Sequence, residues 1–91
     1  MYSQVKNILF IKKGYFMFSK RLRESRLNAQ LTQQDMANII GCTLNSYQKY
    51  EQGERFPSSE ILVLLANKLD VSIDWLLCRD KWLEAHFGVP R

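Results

Sequence analysis

An all-α domain of five short helices is the fold this chain predicts, and three features of the sequence point to it. Apolar residues recur at spacings of three and four, the period of a helix with one buried face. Most of these segments open on a serine or threonine, and two of them end at a glycine or aspartate, the usual punctuation of helix ends. Finally, 91 residues are expected to form one small domain with a modest core, a length hard to reconcile with a second ligand-binding domain.

The first helix is expected over Phe18 to Asn28, with Phe18 and Leu22 inward and Lys20, Arg21, Arg23 and Arg26 outward. Thr32 opens the second, because Asp35 follows three residues later in a capping-box pattern. Met36, Ala37, Ile39 and Ile40 supply its apolar side, and small Ala37 lets a neighbouring helix cross closely. Gly41 stands where that side ends, and glycine adopts the left-handed conformation that stops a helix. Thr43 can cap a third helix in which Tyr47 and Tyr50 share one face, with Leu44, Asn45, Gln48 and Lys49 over the remainder. After a loop stiffened by Pro57, Ser58 caps a fourth helix carrying Ile61, Leu62, Leu64, Leu65 and Leu69. Asp70 interrupts the pattern, and Ser72 caps a short fifth helix from Ile73 to Cys78.

Charge narrows the function. Formal net charge is +4, but residues 1–30 carry seven basic side chains against Glu24 alone, leaving +6 there and −2 in the rest. A basic first third favours a polyanion such as DNA, although a solvated charged helix face has the same composition. Cys42 and Cys78 fit no metal or redox spacing, and His86 is the single histidine. No metal site, cofactor or catalytic constellation is therefore assigned, and no enzymatic activity is expected. No apolar run reaches the roughly 20 residues needed to span a bilayer. The first eleven residues resemble a signal peptide only in a short apolar run, which Lys12 and Lys13 follow in place of a small-residue cleavage site. A cytoplasmic protein without a disulfide is expected.

Two short capped helices joined at Gly41 have the form of a helix-turn-helix. The landmarks around them are Arg21-Leu22-Arg23, Leu31-Thr32-Gln33, Ala37, Gly41 and Tyr50-Glu51-Gln52-Gly53. They continue through Pro57-Ser58, Leu65-Ala66, Leu69 and Val71-Ser72-Ile73-Asp74-Trp75-Leu76-Leu77. In this order and spacing they resemble the Cro and phage-repressor, or XRE-like, type of bacterial and phage transcription regulator, over about two thirds of the chain. The resemblance implies a compact, five-helix, lambda-repressor-like domain over residues 17–78 that binds double-stranded operator DNA, usually as a homodimer on a palindrome.

The same resemblance assigns roles to residues. Thr43, Leu44, Asn45 and Lys49 match recognition-helix positions that face base edges or flanking phosphates, and Gln48 points near the same face, where it either reads a base or is simply solvated. Asparagine can pair bidentately with adenine and lysine can donate to guanine, whereas leucine can only touch a thymine methyl or fill space. Gln33 matches a glutamine that touches a phosphate and braces a recognition-helix side chain. Gln52 and Arg55 match backbone-contacting positions, which set register on the duplex. Tyr47 and Tyr50 beside basic residues also suggest base stacking, but the fold places both inward. Glu51 is an acid near DNA, with Arg55 as its suggested partner. Gln30 departs from the family, which commonly has glycine there, so the first connection is expected to be shaped differently.

Residues 1–16 lie upstream of the resemblance and read either as an arm packing on the domain or a partner, or as a loose tail. Residues 79–91, with Trp82, Leu83 and Phe87, read as a tail that folds back as a short helix or enters a dimer interface. The leading expectation is a prophage-type repressor acting by operator occupancy. An antirepressor protein is the expected means of relief; the alternative is an antitoxin or interaction module whose DNA binding is autoregulatory, with a toxin as protein partner.

Overall fold

The computed structural model describes residues 17–79, and the expected arm over residues 1–16 and the tail beyond Arg79 lie outside that range. Helix α1 covers residues 17–28. It is followed by α2 (Gln33–Ile40), α3 (Leu44–Gln52), α4 (Ser59–Leu69) and α5 (Ile73–Leu76). No strand occurs among the described residues.

The four helix starts after α1 are set by hydroxyl caps. Thr32 accepts from the Asp35 backbone N–H at 3.0 Å while the Asp35 carboxylate accepts from the Thr32 N–H at 2.9 Å, completing the expected box. Thr43, Ser58 and Ser72 accept in the same way from Ser46, Ile61 and Trp75. Each bond satisfies one of the backbone donors that a helix start leaves open, a contribution of about 1 kcal/mol. Left-handed residues close α2, α3 and α4: Gly41 at φ 73°, Gly53 at φ 76° and Asp70 at φ 55°.

The core forms where the helices' apolar stripes meet. Phe18, Leu22, Met36, Ala37, Tyr47, Leu65 and Leu76 are almost wholly removed from water. Such burial supplies roughly 1.5–3 kcal/mol for each large side chain. Helices α2 and α3 pack on each other, and Ala37 is buried in the same core as Tyr47 and Tyr50. Those two rings meet edge to face with centroids 6.3 Å apart, and Phe18 packs on Phe56 at 4.7 Å.

Several sequence expectations change. Ile39 and Leu64 are exposed, because the buried stripes of α2 and α4 run through Met36, Ala37 and Ile40 and through Leu62, Leu65, Ala66 and Leu69. Helix α5 ends at Leu76, with Cys78 already in the left-handed region at φ 62°. Gln30, which lacks the backbone freedom of glycine, takes the left-handed conformation regardless, at φ 59°. Its N–H bonds to the Leu27 carbonyl and that of Leu31 to the Arg26 carbonyl, so the first connection keeps a left-handed close.

Candidate nucleic-acid interface

Helix α3 has two unlike sides. Tyr47, Tyr50 and Glu51 are buried, while Thr43, Asn45 and Gln52 are exposed and Leu44, Gln48 and Lys49 are half-buried. The outer side therefore offers an amide at Asn45, a second amide at Gln48 and an ammonium at Lys49, groups able to hydrogen-bond base edges or phosphates. Thr43 is tied to the start of the helix: its hydroxyl bonds Ser46 Oγ at 3.0 Å and accepts the Ser46 N–H at 3.1 Å. Arg55 is exposed in the loop after α3, on a turn held by bonds from the Glu54 and Arg55 N–H groups to the Lys49 carbonyl. Leu44 is too far buried to present more than part of its side chain.

Gln33, the first residue of α2, touches α3 directly. Its Oε1 accepts from Gln48 Nε2 at 3.1 Å, and its Nε2 donates to Glu51 Oε1 at 3.1 Å. The expected bracing of α3 is thus present, and the braced side chain is Gln48.

Behind this contact lies a buried ionic cluster, where the sequence reading needs its largest correction. Arg26 is not outward: it is only 9% exposed, and its partner is Glu51, 4% exposed. Arg26 Nε donates to Glu51 Oε2 at 2.6 Å and Nη2 to Oε1 at 3.1 Å, a two-pronged pair that joins α1 to α3. Arg26 Nη1 also donates to the Leu31 carbonyl at 2.8 Å. Tyr47 OH donates to Glu51 Oε2 at 2.5 Å. Arg26, and not Arg55, is therefore the partner that permits an acid so near the outer face. Burial alone would push the Glu51 carboxyl up, but hydrogen bonds from Arg26, Tyr47 and Gln33 outweigh it and hold the group below its ordinary range. The Tyr47 hydroxyl moves the other way, raised by burial and by its bond to the carboxylate.

The basic surface is consequently smaller than residue counting suggests. Arg26 is neutralised internally, and Arg21 turns toward α5, where its guanidinium donates to the Trp75 carbonyl and lies 4.9 Å from the ring centroid. Lys20 and Arg23 remain exposed, and with Ser19, Glu24, Glu51 and Gln52 they line a cleft of about 490 Å³ between α1 and α3. Cys42 is half-buried beside the turn, and burial pushes its thiol up, away from reactivity.

A family model described as helix-turn-helix matches residues 22–76, more than half of the chain and including every element from most of α1 to the end of α5. The chain belongs to the helix-turn-helix family of transcription regulators. Among its relatives, an uncharacterized HTH-type transcriptional regulator, YqaE of Bacillus subtilis, is 46% identical over 61 residues, covering 67% of this chain and 53% of that protein. The cryptic phage CTXphi transcriptional repressor RstR of Vibrio cholerae is 47% identical over 60 residues, covering 66% of this chain and 54% of the repressor. Antitoxin PezA of Streptococcus pneumoniae is 33% identical over 67 residues, covering 74% of this chain and 42% of the antitoxin. The chain spans about half the length of these relatives.

In this helix-turn-helix domain the Arg26–Glu51 pair is the feature that the sequence reading missed, although its signal was present. Arg26 follows Phe18 and Leu22 at successive intervals of four, and Glu51 follows Tyr47 by four, so each charge lies on its helix's inward stripe. Two opposite charges on two inward stripes are the pattern of a buried pair, since either alone would be too costly to bury.

Proposed function

We propose that this domain binds duplex operator DNA sequence-specifically through α3 and acts as a small repressor by occupying the operator. The observation that carries the reading is the division of α3: its inner side is sealed by Tyr47, Tyr50 and Glu51 while Thr43, Asn45, Gln48 and Lys49 face outward or lie at its edge. Asn45, Gln48 and Lys49 read base edges, with Thr43 and Leu44 lining the same groove. Gln33, Gln52 and Arg55 contact phosphates, and exposed Lys20 and Arg23 add to that positive border. Likeness to a phage repressor supports the prophage-type role.

The domain works in the cytoplasm as a homodimer on a palindromic site. Exposed Val63 and Leu64 on α4 supply apolar surface for a second copy, with the arm over residues 1–16 and the tail over residues 79–91 as flanking segments. A second reading, that it is an antitoxin whose DNA binding is autoregulatory, is favoured by the likeness to PezA. In that case a toxin protein is the partner; in the first, an antirepressor is the natural means of relief.

Selection from a random duplex library, repeated at higher salt, tests the reading. A palindrome with half-sites about one helical turn apart is expected, with retention falling steeply as salt rises because bound phosphates release counterions. A folded protein that enriches no sequence overturns the proposal and turns the search to a protein partner.

A further inference from the structure

We infer that Glu51, which faces away from the outer side of α3, fixes the donor and acceptor ends of the Gln48 amide through Gln33 and thereby makes Gln48 an adenine reader. The inference rests on the reading of α3 as the DNA-recognition helix.

A carboxylate offers only acceptors. Both Glu51 oxygens are engaged, Oε2 by Arg26 and Tyr47 and Oε1 by Arg26 and Gln33. The Gln33 amide must therefore turn its nitrogen toward Glu51. That orientation leaves the Gln33 oxygen facing α3, where it accepts from Gln48 Nε2 at 3.1 Å. Gln48 must in turn point its nitrogen at Gln33. Each amide along this path is set by the one before it, and the path begins at a group that cannot donate.

One Gln48 N–H is used in this way. One N–H and the carbonyl oxygen of the same amide have no partner among the described residues. That remaining set is complementary to the major-groove edge of adenine, whose N7 accepts and whose N6 amino group donates. Guanine, with acceptors at both N7 and O6, cannot use the Gln48 oxygen. A glutamine free to rotate its amide end for end would discriminate less, since either end could meet either base. Glu51 and Gln33 are thus positioning residues for base choice at a site that Glu51 never reaches.

The test is library selection with the full chain and its variants Gln48→Ala and Gln33→Met. Gln48→Ala identifies the operator position that residue 48 reads, and adenine is expected there in the wild-type motif. Replacing that adenine with 7-deazaadenine, which lacks the N7 acceptor, or with purine, which lacks the N6 amino group, should each weaken wild-type binding. Gln33→Met keeps the length of the side chain but removes both bonds, and its fold is checked by thermal melting. It should reduce adenine preference at the marked position by about tenfold, the low end of the discrimination a bidentate pair gives, beyond any uniform loss of affinity. Uniform weakening at every position, with the marked preference intact, overturns the inference while leaving DNA recognition by α3 standing. So does a marked position that is not adenine, or a Gln48→Ala motif identical to wild type. If the wild-type protein enriches no motif, the recognition reading falls and the inference with it.

Discussion

Gln30→Gly should stabilise the domain and Gly41→Ala should destabilise it, although both positions hold the same backbone conformation. Gln30 has φ 59° and Gly41 has φ 73°. A side chain in the left-handed region costs roughly 1–2 kcal/mol, because Cβ crowds the following carbonyl. Replacing Gln30 by glycine removes that cost but returns roughly 0.5–1 kcal/mol through the greater freedom of glycine in the unfolded chain. The side chain of Gln30 is exposed, so little packing is lost. The net gain is about 0–1.5 kcal/mol, about 0.75 at its centre, which in a domain of this size raises Tm by about 3–6 °C. At Gly41 an added Cβ would meet nothing within 4 Å, so the same arithmetic applies with the opposite sign and no steric term. Thermal melts followed by circular dichroism, with urea unfolding to obtain the free energies, measure both variants. A lower Tm for Gln30→Gly, or an unchanged one for Gly41→Ala, would refute the reasoning by showing that backbone strain does not govern these two connections.

Two further outcomes concern the carboxylates, and the first lies in the buried cluster. Glu51→Ala leaves the Arg26 guanidinium buried without its carboxylate and should cost about 3–5 kcal/mol in urea unfolding, whereas Arg26→Met, Tyr47→Phe and Glu51→Met combined should cost far less, because no charge is left unpaired. A single-variant loss below about 1 kcal/mol would mean that the pair behaves as a solvated surface bridge. The second concerns acid. Glu51 and Asp35 both have carboxyl pKa values lowered in the folded state, the latter by hydrogen bonds from the Thr32 backbone and side chain. Stability from a lowered carboxyl is complete above its unfolded value and is lost as pH falls through the folded one. Tm should therefore fall as pH drops below about 4, and Glu51→Gln should flatten that fall; a Tm that rises on acidification would mean that Glu51 is protonated in the fold.

Sequence alone made the helix boundaries unusually legible because they depend on local chemistry. Thr32 with Asp35, Thr43, Ser58 and Ser72 each act on a backbone N–H three residues away, and no distant contact is needed to anticipate them. The tyrosines of α3 were legible as core for a related reason, since three-residue spacing places both on one stripe. Positions decided by a third helix were not. Ile39 has the right chemistry for burial but stays exposed among the described residues; Arg26 has the wrong chemistry and is buried because Glu51 reaches it from 25 residues away. The outer residues of α3 were named by resemblance, and the structure adds the hydrogen bonds that join Gln48 to Gln33 and Gln33 to Glu51.

The left-handed Gln30 and the buried Arg26 are two parts of one arrangement. Left to itself, a glutamine between α1 and α2 would favour a right-handed conformation and carry Leu31 elsewhere. Leu31 is held from both sides by the same residue: its N–H bonds to the Arg26 carbonyl at 3.2 Å, and its carbonyl accepts from Arg26 Nη1 at 2.8 Å. Arg26 can do this only because its planar fork keeps Nε and Nη2 on Glu51 while Nη1 points toward the connection. Lysine at this position would have one nitrogen for three tasks and would release either the carboxylate or Leu31. The strain at Gln30 is thus sustained by an anchor that also fixes Glu51, and Glu51 in turn orients the side chains at the α2–α3 contact. One path of hydrogen bonds therefore joins the first connection to the outer side of α3, from Leu31 through Arg26, Glu51 and Gln33 to Gln48.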